Sequence, residues 1–75
     1  MKLYGYTKSS ESVEEVVELT FQCQPSELRE IAKFLQDMAD GIENDGENFG
    51  HGHAKDYCDN WPENSAEIIV YKPAL

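Results

Sequence analysis

Residues 25–42, PSELREIAKFLQDMADGI, decide the fold class of this 75-residue chain. The apolar residues of this stretch are spaced by three, one, three, three, one and three, which is the period of an amphipathic helix. They are Leu28, Ile31, Ala32, Leu35, Met38, Ala39 and Ile42. Pro25 suits the first helical position, where its missing N–H would have no partner. We predict a helix over residues 25–44 that ends at Gly46, with Phe34 at the edge of the apolar stripe. Replacing Leu35 with alanine should then cost about 2–5 kcal/mol.

Shorter patterns on both sides of the helix predict strands. Residues 2–6 form a short strand, and the polar residues 7–12 form a turn. From residue 17 to residue 23 apolar and polar residues alternate, which is the period of a strand with one buried face. Residues 67–71 contain three adjacent β-branched residues, which favour a strand covered on much of both sides.

This order of elements predicts the architecture. Strand, strand, helix and strand indicate an α+β fold in a single domain over residues 1–75, with a three-stranded sheet and one helix packed on one face. Leu19 and Phe21 are the expected contacts of the helix. The first two strands should form an antiparallel hairpin. A right-handed crossover would make the second and third strands parallel, if they share the sheet.

Composition excludes several functions. Fifteen acidic residues against six basic ones give a formal charge of −9. This charge argues against binding nucleic acid or an anionic membrane, because both need Lys and Arg to neutralise phosphate. No apolar run approaches the length of a membrane span, and the first residues lack the apolar core of a signal peptide. We therefore expect a cytoplasmic protein, in which Cys23 and Cys58 are free thiols.

The segment 45–66 is predicted as a long ordered loop, and long ordered loops are often functional. Phe49, Tyr57 or Trp61 should anchor it to the body of the domain. It supplies most of the acidity, because residues 37–63 hold eight acids and one base, a net −7. The segment therefore contains our candidate partner-binding residues. They are Asp45, Glu47, Phe49, His51, His53, Asp56, Tyr57, Asp59 and Trp61.

His51 and His53, separated by one glycine, leave several interpretations open. They could fix the path of the loop through hydrogen bonds to its backbone, contact a partner or sense pH. They could also bind a transition metal, although structural zinc sites usually show a second paired motif. A thiol–imidazole pair with Cys58 is disfavoured, because Asp56 and Asp59 should raise the pKa of the thiol. No cofactor is expected.

Several segments resemble the immunity protein 32 family of bacterial polymorphic toxin systems. The matching features are Leu3-Tyr4-Gly5-Tyr6, residues 25–35 (PSELREIAKFL), Phe49-Gly50-His51-Gly52-His53 with Asp56-Tyr57, a Trp, and a closing β-branched strand that ends in Pro73. The resemblance implies a small α+β protein that neutralises a toxin encoded next to it. The Phe-Gly-His-x-His segment is the most distinctive stretch of the family.

Two classes of function remain in competition. The first is a non-enzymatic binding protein that occludes a cognate toxin, where acidity would favour a basic partner. The alternative is a small metal-binding domain that uses His51 and His53. A homodimer through an exposed sheet face or strand edge is a further possibility.

Overall fold

The computed structural model describes residues 1–73 and contains two helices and four short strands within them. The elements are β1 (Leu3–Gly5), β2 (Glu14–Val16), α1 (Pro25–Asp45), β3 (His51–His53), α2 (Ala54–Tyr57) and β4 (Ile69–Tyr71). The strands form two separate antiparallel pairs, β1 with β2 and β3 with β4. The predicted α+β class is confirmed, whereas the single three-stranded sheet is wrong in this detail.

Helix α1 extends over nearly the predicted range. At its start the Gln24 N–H donates to Glu27 Oε1 at 3.0 Å, which supplies one half of a capping box. The helix ends at Asp45, and Gly46 caps it as expected. Its buried residues are Ile31, Phe34 and Met38. Phe34 is 1% exposed and Leu35 is 44% exposed, so our placement of these two neighbours was wrong.

The N-terminal hairpin forms from residues earlier than predicted. Leu3 pairs with Val16 and Gly5 pairs with Glu14. The turn between the strands closes early, because the Thr7 N–H donates to Ser10 Oγ and the Ser10 N–H donates to the Thr7 carbonyl. Turn geometry fixes the register of a hairpin. The second strand therefore ends at Val16, and residues 17–23 form neither helix nor strand.

Residues 17–23 consequently do not cover the helix as predicted. Leu19 is 54% exposed and Phe21 is 46% exposed. Because β2 and β4 lie in different sheets, the expected parallel pairing of the second and third strands is also wrong.

The second sheet lies partly inside the predicted loop. Residues 45–66 contain β3 and α2, so the assignment of this whole segment to a loop was wrong. In β3–β4, Gly52 faces Val70 and His53 faces Ile69. The pairing continues beyond the strands, because the Ala54 N–H donates to the Ile68 carbonyl at 2.8 Å. Ile69 is 51% exposed, so β4 is covered on one side only rather than on both.

The core is small and lies where α1 meets the segment around α2. Its buried members are Phe34, Met38, Ala54 and Cys58, and four partly buried residues pack against them. These four are Phe49, Trp61, Ile68 and Val70. None of the helices in residues 1–73 has the length and apolar character needed to cross a bilayer.

Candidate functional site

His51, Gly52 and His53 form strand β3. Successive residues of the strand face opposite sides, so the glycine faces the core and the two histidines face away from it. Gly52 points inward and is buried, and a Cβ added there would collide with Met38 Sδ of α1. His51 and His53 lie on the other face of the strand, with ring centroids 5.1 Å apart and planes at 70°. The glycine is therefore the position at which the strand passes close against the helix, and this contact presents both imidazoles outward.

His53 takes part in a small charged cluster at the edge of this sheet. Its Nδ1 donates a hydrogen bond to Glu67 Oε1, and Lys55 Nζ lies 3.3 Å from the same oxygen. The hydrogen bond from His53 is the main reason why the pKa of Glu67 is lowered, and Lys55 adds to the effect. The cluster joins α2, β3 and the chain entering β4. His53 thus bonds a side chain rather than the loop backbone, which was one of our sequence-based interpretations.

The aromatic residues of the segment divide between packing and exposure. Phe49 and Trp61 pack against the buried cluster, and the Phe49 ring lies 3.4 Å from where a Cβ on Gly41 would be. The Tyr57 ring is 5.8 Å from the Phe34 ring, while 55% of Tyr57 is exposed. All three predicted anchors therefore contact the body, and Tyr57 also presents a large apolar surface to solvent.

The acidic residues form the exposed part of the candidate site. We call residues 37–63 the acidic segment, and all eight of its carboxylates are exposed. These are Asp37, Asp40, Glu43, Asp45, Glu47, Asp56, Asp59 and Glu63. Within residues 1–73 the ion pairs are those that Glu67 makes, so none of the eight is neutralised by a basic side chain. Asp45 Oδ1 accepts a hydrogen bond from Asn48 Nδ2 in the turn after α1.

The structure brings some predicted site residues together and separates others. Glu47, Phe49 and His51 line one shallow open depression beside Tyr71 and Lys72. Trp61 lines a second depression with Lys55 and Glu67. Both are open to solvent, and neither is an enclosed small-molecule pocket.

The chemistry available to the remaining candidates is limited. Burial is the main cause that raises the pKa of the Cys58 thiol, followed by Glu30 and Asp59. Asp59 therefore acts as predicted, whereas Asp56 is not among the causes. A raised pKa disfavours the thiolate that nucleophilic chemistry requires. Among residues 1–73 no group of three or more His, Cys, Asp or Glu side chains is placed to hold a metal ion.

Two residues important to this region were missed from the sequence. Glu67 bonds His53 across 14 residues, and Lys72 Nζ donates to the Gly46 carbonyl at 2.8 Å across 26 residues. Lys72 thereby places a positive charge at the C-terminal end of α1, whose last turn has no basic residue of its own. No local pattern could have revealed either partner, because both contacts depend on the pairing of β3 with β4.

Comparison with known proteins gives one match. A family model described as Immunity protein 32 matches residues 18–73, which include α1, the acidic segment and β4. No match was found among curated proteins or among solved structures. The matched span covers about three quarters of the chain, including the Phe-Gly-His-x-His segment, and the chain therefore belongs to the Immunity protein 32 family.

Proposed function

We propose that this protein is a non-enzymatic immunity protein that acts in the cytoplasm by binding and occluding a cognate toxin. The acidic segment supplies the binding surface, and the toxin presents a basic face to it. Membership of the Immunity protein 32 family supports the class of function. The observation that carries the choice of surface is the set of eight exposed carboxylates without a basic partner in residues 1–73.

The position of these charges favours a role other than stability. Glu43 and Asp45 lie in the last turn of α1, where the helix dipole makes negative charge unfavourable. Each such charge typically costs about 0.3–1 kcal/mol at an exposed site. A domain with so small a core can spare little stability. Acidic residues that reduce stability and point to solvent are consistent with selection for binding a partner.

The surface would act through charge and shape together. Toxins that attack nucleic acid present basic clefts to the phosphate backbone, and an acidic surface can occupy such a cleft. Complementary charge accelerates association and discriminates against wrong partners more than it raises affinity. Among our candidates, the exposed Asp45, Glu47, His51, Asp56 and Asp59 are the proposed contacts, together with the exposed part of Tyr57. Phe49, His53 and Trp61 hold the surface in place.

A pair of charge-matched variants tests the proposal. The first, the contact variant, removes three carboxylates from the proposed contacts through Glu47→Gln, Asp56→Asn and Asp59→Asn. The control removes three exposed carboxylates from the hairpin region through substitution of Glu11, Glu14 and Glu15 by Gln. Both variants change the net charge by +3, and both removed sets lie outside the core. The probe is the purified protein encoded by the adjacent gene, measured by surface plasmon resonance at low and physiological salt.

We expect the contact variant to associate at least about tenfold more slowly, with little change in the control, because steering depends on where the charge lies. The urea midpoint of the contact variant should stay close to that of the wild-type chain, because the three removed carboxylates are exposed and lie outside the core, so weaker binding cannot be ascribed to unfolding. Equal effects of the two variants would refute the acidic segment as the contact surface. Failure of the wild-type chain to form any complex at low salt would refute the proposed partner.

A further inference from the structure

Strand β3 presents two imidazoles side by side on the outer face of its sheet. His51 and His53 are two residues apart, so both side chains leave the strand on the same side. Gly52 between them lies close against Met38 of α1, which holds the strand on the body of the domain. The function proposed above uses one histidine as a contact and the other as a support, and neither role requires a pair of imidazoles.

The spacing of the two rings is that of two ligands of one metal ion. Their centroids are 5.1 Å apart. A tetrahedral ion with metal–nitrogen bonds of about 2.0–2.1 Å holds the centres of two imidazole ligands about 5 Å apart. His51 is exposed, so its ring can turn to bring a nitrogen onto an ion that it shares with His53.

Glu67 holds His53 in the tautomer that a metal ligand requires. The His53 Nδ1–H donates to Glu67 Oε1, which leaves Nε2 with a lone pair. Metal-ligating histidines almost always donate their other ring N–H to a carboxylate, a backbone carbonyl or water, and this hydrogen bond orients the ring and makes the ligating nitrogen more basic. The carboxylate comes from 14 residues away and reaches His53 through the pairing of β3 with β4. The fold therefore supplies both the ring spacing and the supporting carboxylate.

We propose that His51 and His53 bind one divalent transition-metal ion such as Zn²⁺, with water in the remaining coordination positions. On β4, Tyr71 lies opposite His51 and Ile69 lies opposite His53, so the neighbouring strand adds no carboxylate or thiolate. Within residues 1–73 no cluster of three or more ligating side chains forms, so the site has two protein ligands. It is therefore an open, exchangeable site, unlike a structural zinc site that is closed by four protein ligands. Imidazole favours Zn²⁺, Cu²⁺ and Ni²⁺, whereas Mg²⁺ and Ca²⁺ prefer oxygen ligands.

Isothermal titration calorimetry with Zn²⁺, on the full chain with its thiols reduced, tests the ligands. We expect the wild-type chain to bind one ion. His51→Asn and His53→Asn should each weaken binding at least about tenfold, because losing even the supporting partner of a ligand costs about 10–100-fold. His51 is exposed and its ring packs on no core residue, so His51→Asn keeps the test valid if His53→Asn fails to fold.

The cluster around His53 tests the supporting role of Glu67. Glu67→Gln keeps a hydrogen-bond acceptor but removes the charge, and it should weaken Zn²⁺ binding about tenfold. Glu14→Gln removes the same charge from β2 in the other sheet and should bind like the wild-type chain. Lys55 Nζ lies 3.3 Å from Glu67 Oε1, so its positive charge opposes a cation on His53. Lys55→Gln should therefore strengthen binding, whereas a purely structural role of the cluster would make both of its variants weaken it.

NMR of the imidazole rings identifies the ligands directly. Zn²⁺ should shift the ring resonances of both histidines with one common titration midpoint, and Mg²⁺ over the same range should shift neither. Cys23→Ser should keep the wild-type affinity, because the half-buried thiol is not a ligand. Circular dichroism confirms that each variant is folded.

Four outcomes would overturn the inference. They are no saturable binding of Zn²⁺ at about a hundredfold molar excess, wild-type affinity in His51→Asn, equal losses in Glu67→Gln and Glu14→Gln, and lost binding in Cys23→Ser. The inference is independent of the proposed toxin, because these measurements contain no other protein.

Discussion

Replacing Gly52 with alanine should destabilise the protein although it adds only one methyl group. The new Cβ would collide with Met38 Sδ and lie 3.5 Å from Tyr57 Cε2. Met38 is 3% exposed and belongs to the core cluster, so its side chain would have to shift against packed neighbours. Overpacking of this kind typically costs about 1–3 kcal/mol. A chain of 75 residues has about 4–11 kcal/mol of stability in total, so the loss is a large fraction.

Urea and thermal unfolding followed by circular dichroism measure this loss. Each kcal/mol should lower the melting temperature by about 4–8 °C in a domain of this size. Gly50→Ala is the matched control, because nothing lies within 4 Å of a Cβ added there and its backbone has no positive φ. We expect that control to stay within about 0.5 kcal/mol of the wild-type chain.

A double-mutant cycle tests the cause. Met38→Ala removes the sulfur that the new methyl group would meet, so Gly52→Ala should cost at least about 1 kcal/mol less in that background. An equal cost in both backgrounds would refute the collision as the reason. A Gly50→Ala variant as unstable as Gly52→Ala would refute the claim that the close approach is specific to one glycine.

Three further predictions follow from the contacts described. In urea unfolding, Phe34→Ala should cost about 3–5 kcal/mol and Leu35→Ala less than about 1.5 kcal/mol, since Leu35 is already half exposed; similar costs would contradict the assignment of the buried face of α1. Lys72→Met should cost about 0.5–1.5 kcal/mol by removing the cation at the C-terminal end of α1, whereas Lys8→Met, in an exposed turn, should change little; equal losses would contradict this role. Because the folded pKa of Glu67 is lowered from 4.5, its stabilisation is present above that value and disappears as the pH falls through the folded pKa. Glu67→Gln should therefore reduce the fall in urea midpoint between about pH 6 and pH 3, and an unchanged pH profile would contradict the pairing.

The helix could be predicted from the sequence, but the face that it turns towards the core could not. The period of three and four in residues 25–42 identifies an amphipathic helix and its approximate ends. The predicted stripe includes both Ile31 and Leu35, and it is wider than the surface that the rest of the chain covers. The strand that passes at Gly52 lies against Met38 and not against Leu35. Which half of a wide stripe is buried depends on this tertiary contact, which leaves Leu28 and Leu35 about half exposed.

Residues 17–23 show the limit of a strand pattern. Their alternation is that of a half-buried strand, but a strand also needs a neighbour with free hydrogen-bonding groups. The hairpin uses Glu14–Val16 to pair with Leu3–Gly5, which leaves residues 17–23 without a partner in the sheet. Conversely, His51-Gly52-His53 is too short and too polar to predict as a strand, and it becomes one because β4 pairs with it.

The position of the candidate site in the chain could be predicted from the sequence, but the role of each residue within it could not. Composition placed the acidity, the aromatic anchors and both histidines in one segment, and the structure exposes all eight of its carboxylates. Which side chains of the segment pack inward and which stay exposed depends on contacts with residues far away in sequence. Phe49 and Trp61 pack inward because α1 lies beneath them, and His53 is held by Glu67.

The salt dependence of binding separates charge from packing in the proposed toxin contact. Salt screens the attraction between the acidic segment and a basic partner, so their association should weaken as the salt concentration rises. If binding to the partner were insensitive to salt, the toxin would be recognised by packing, and the acidic segment would not be its contact surface.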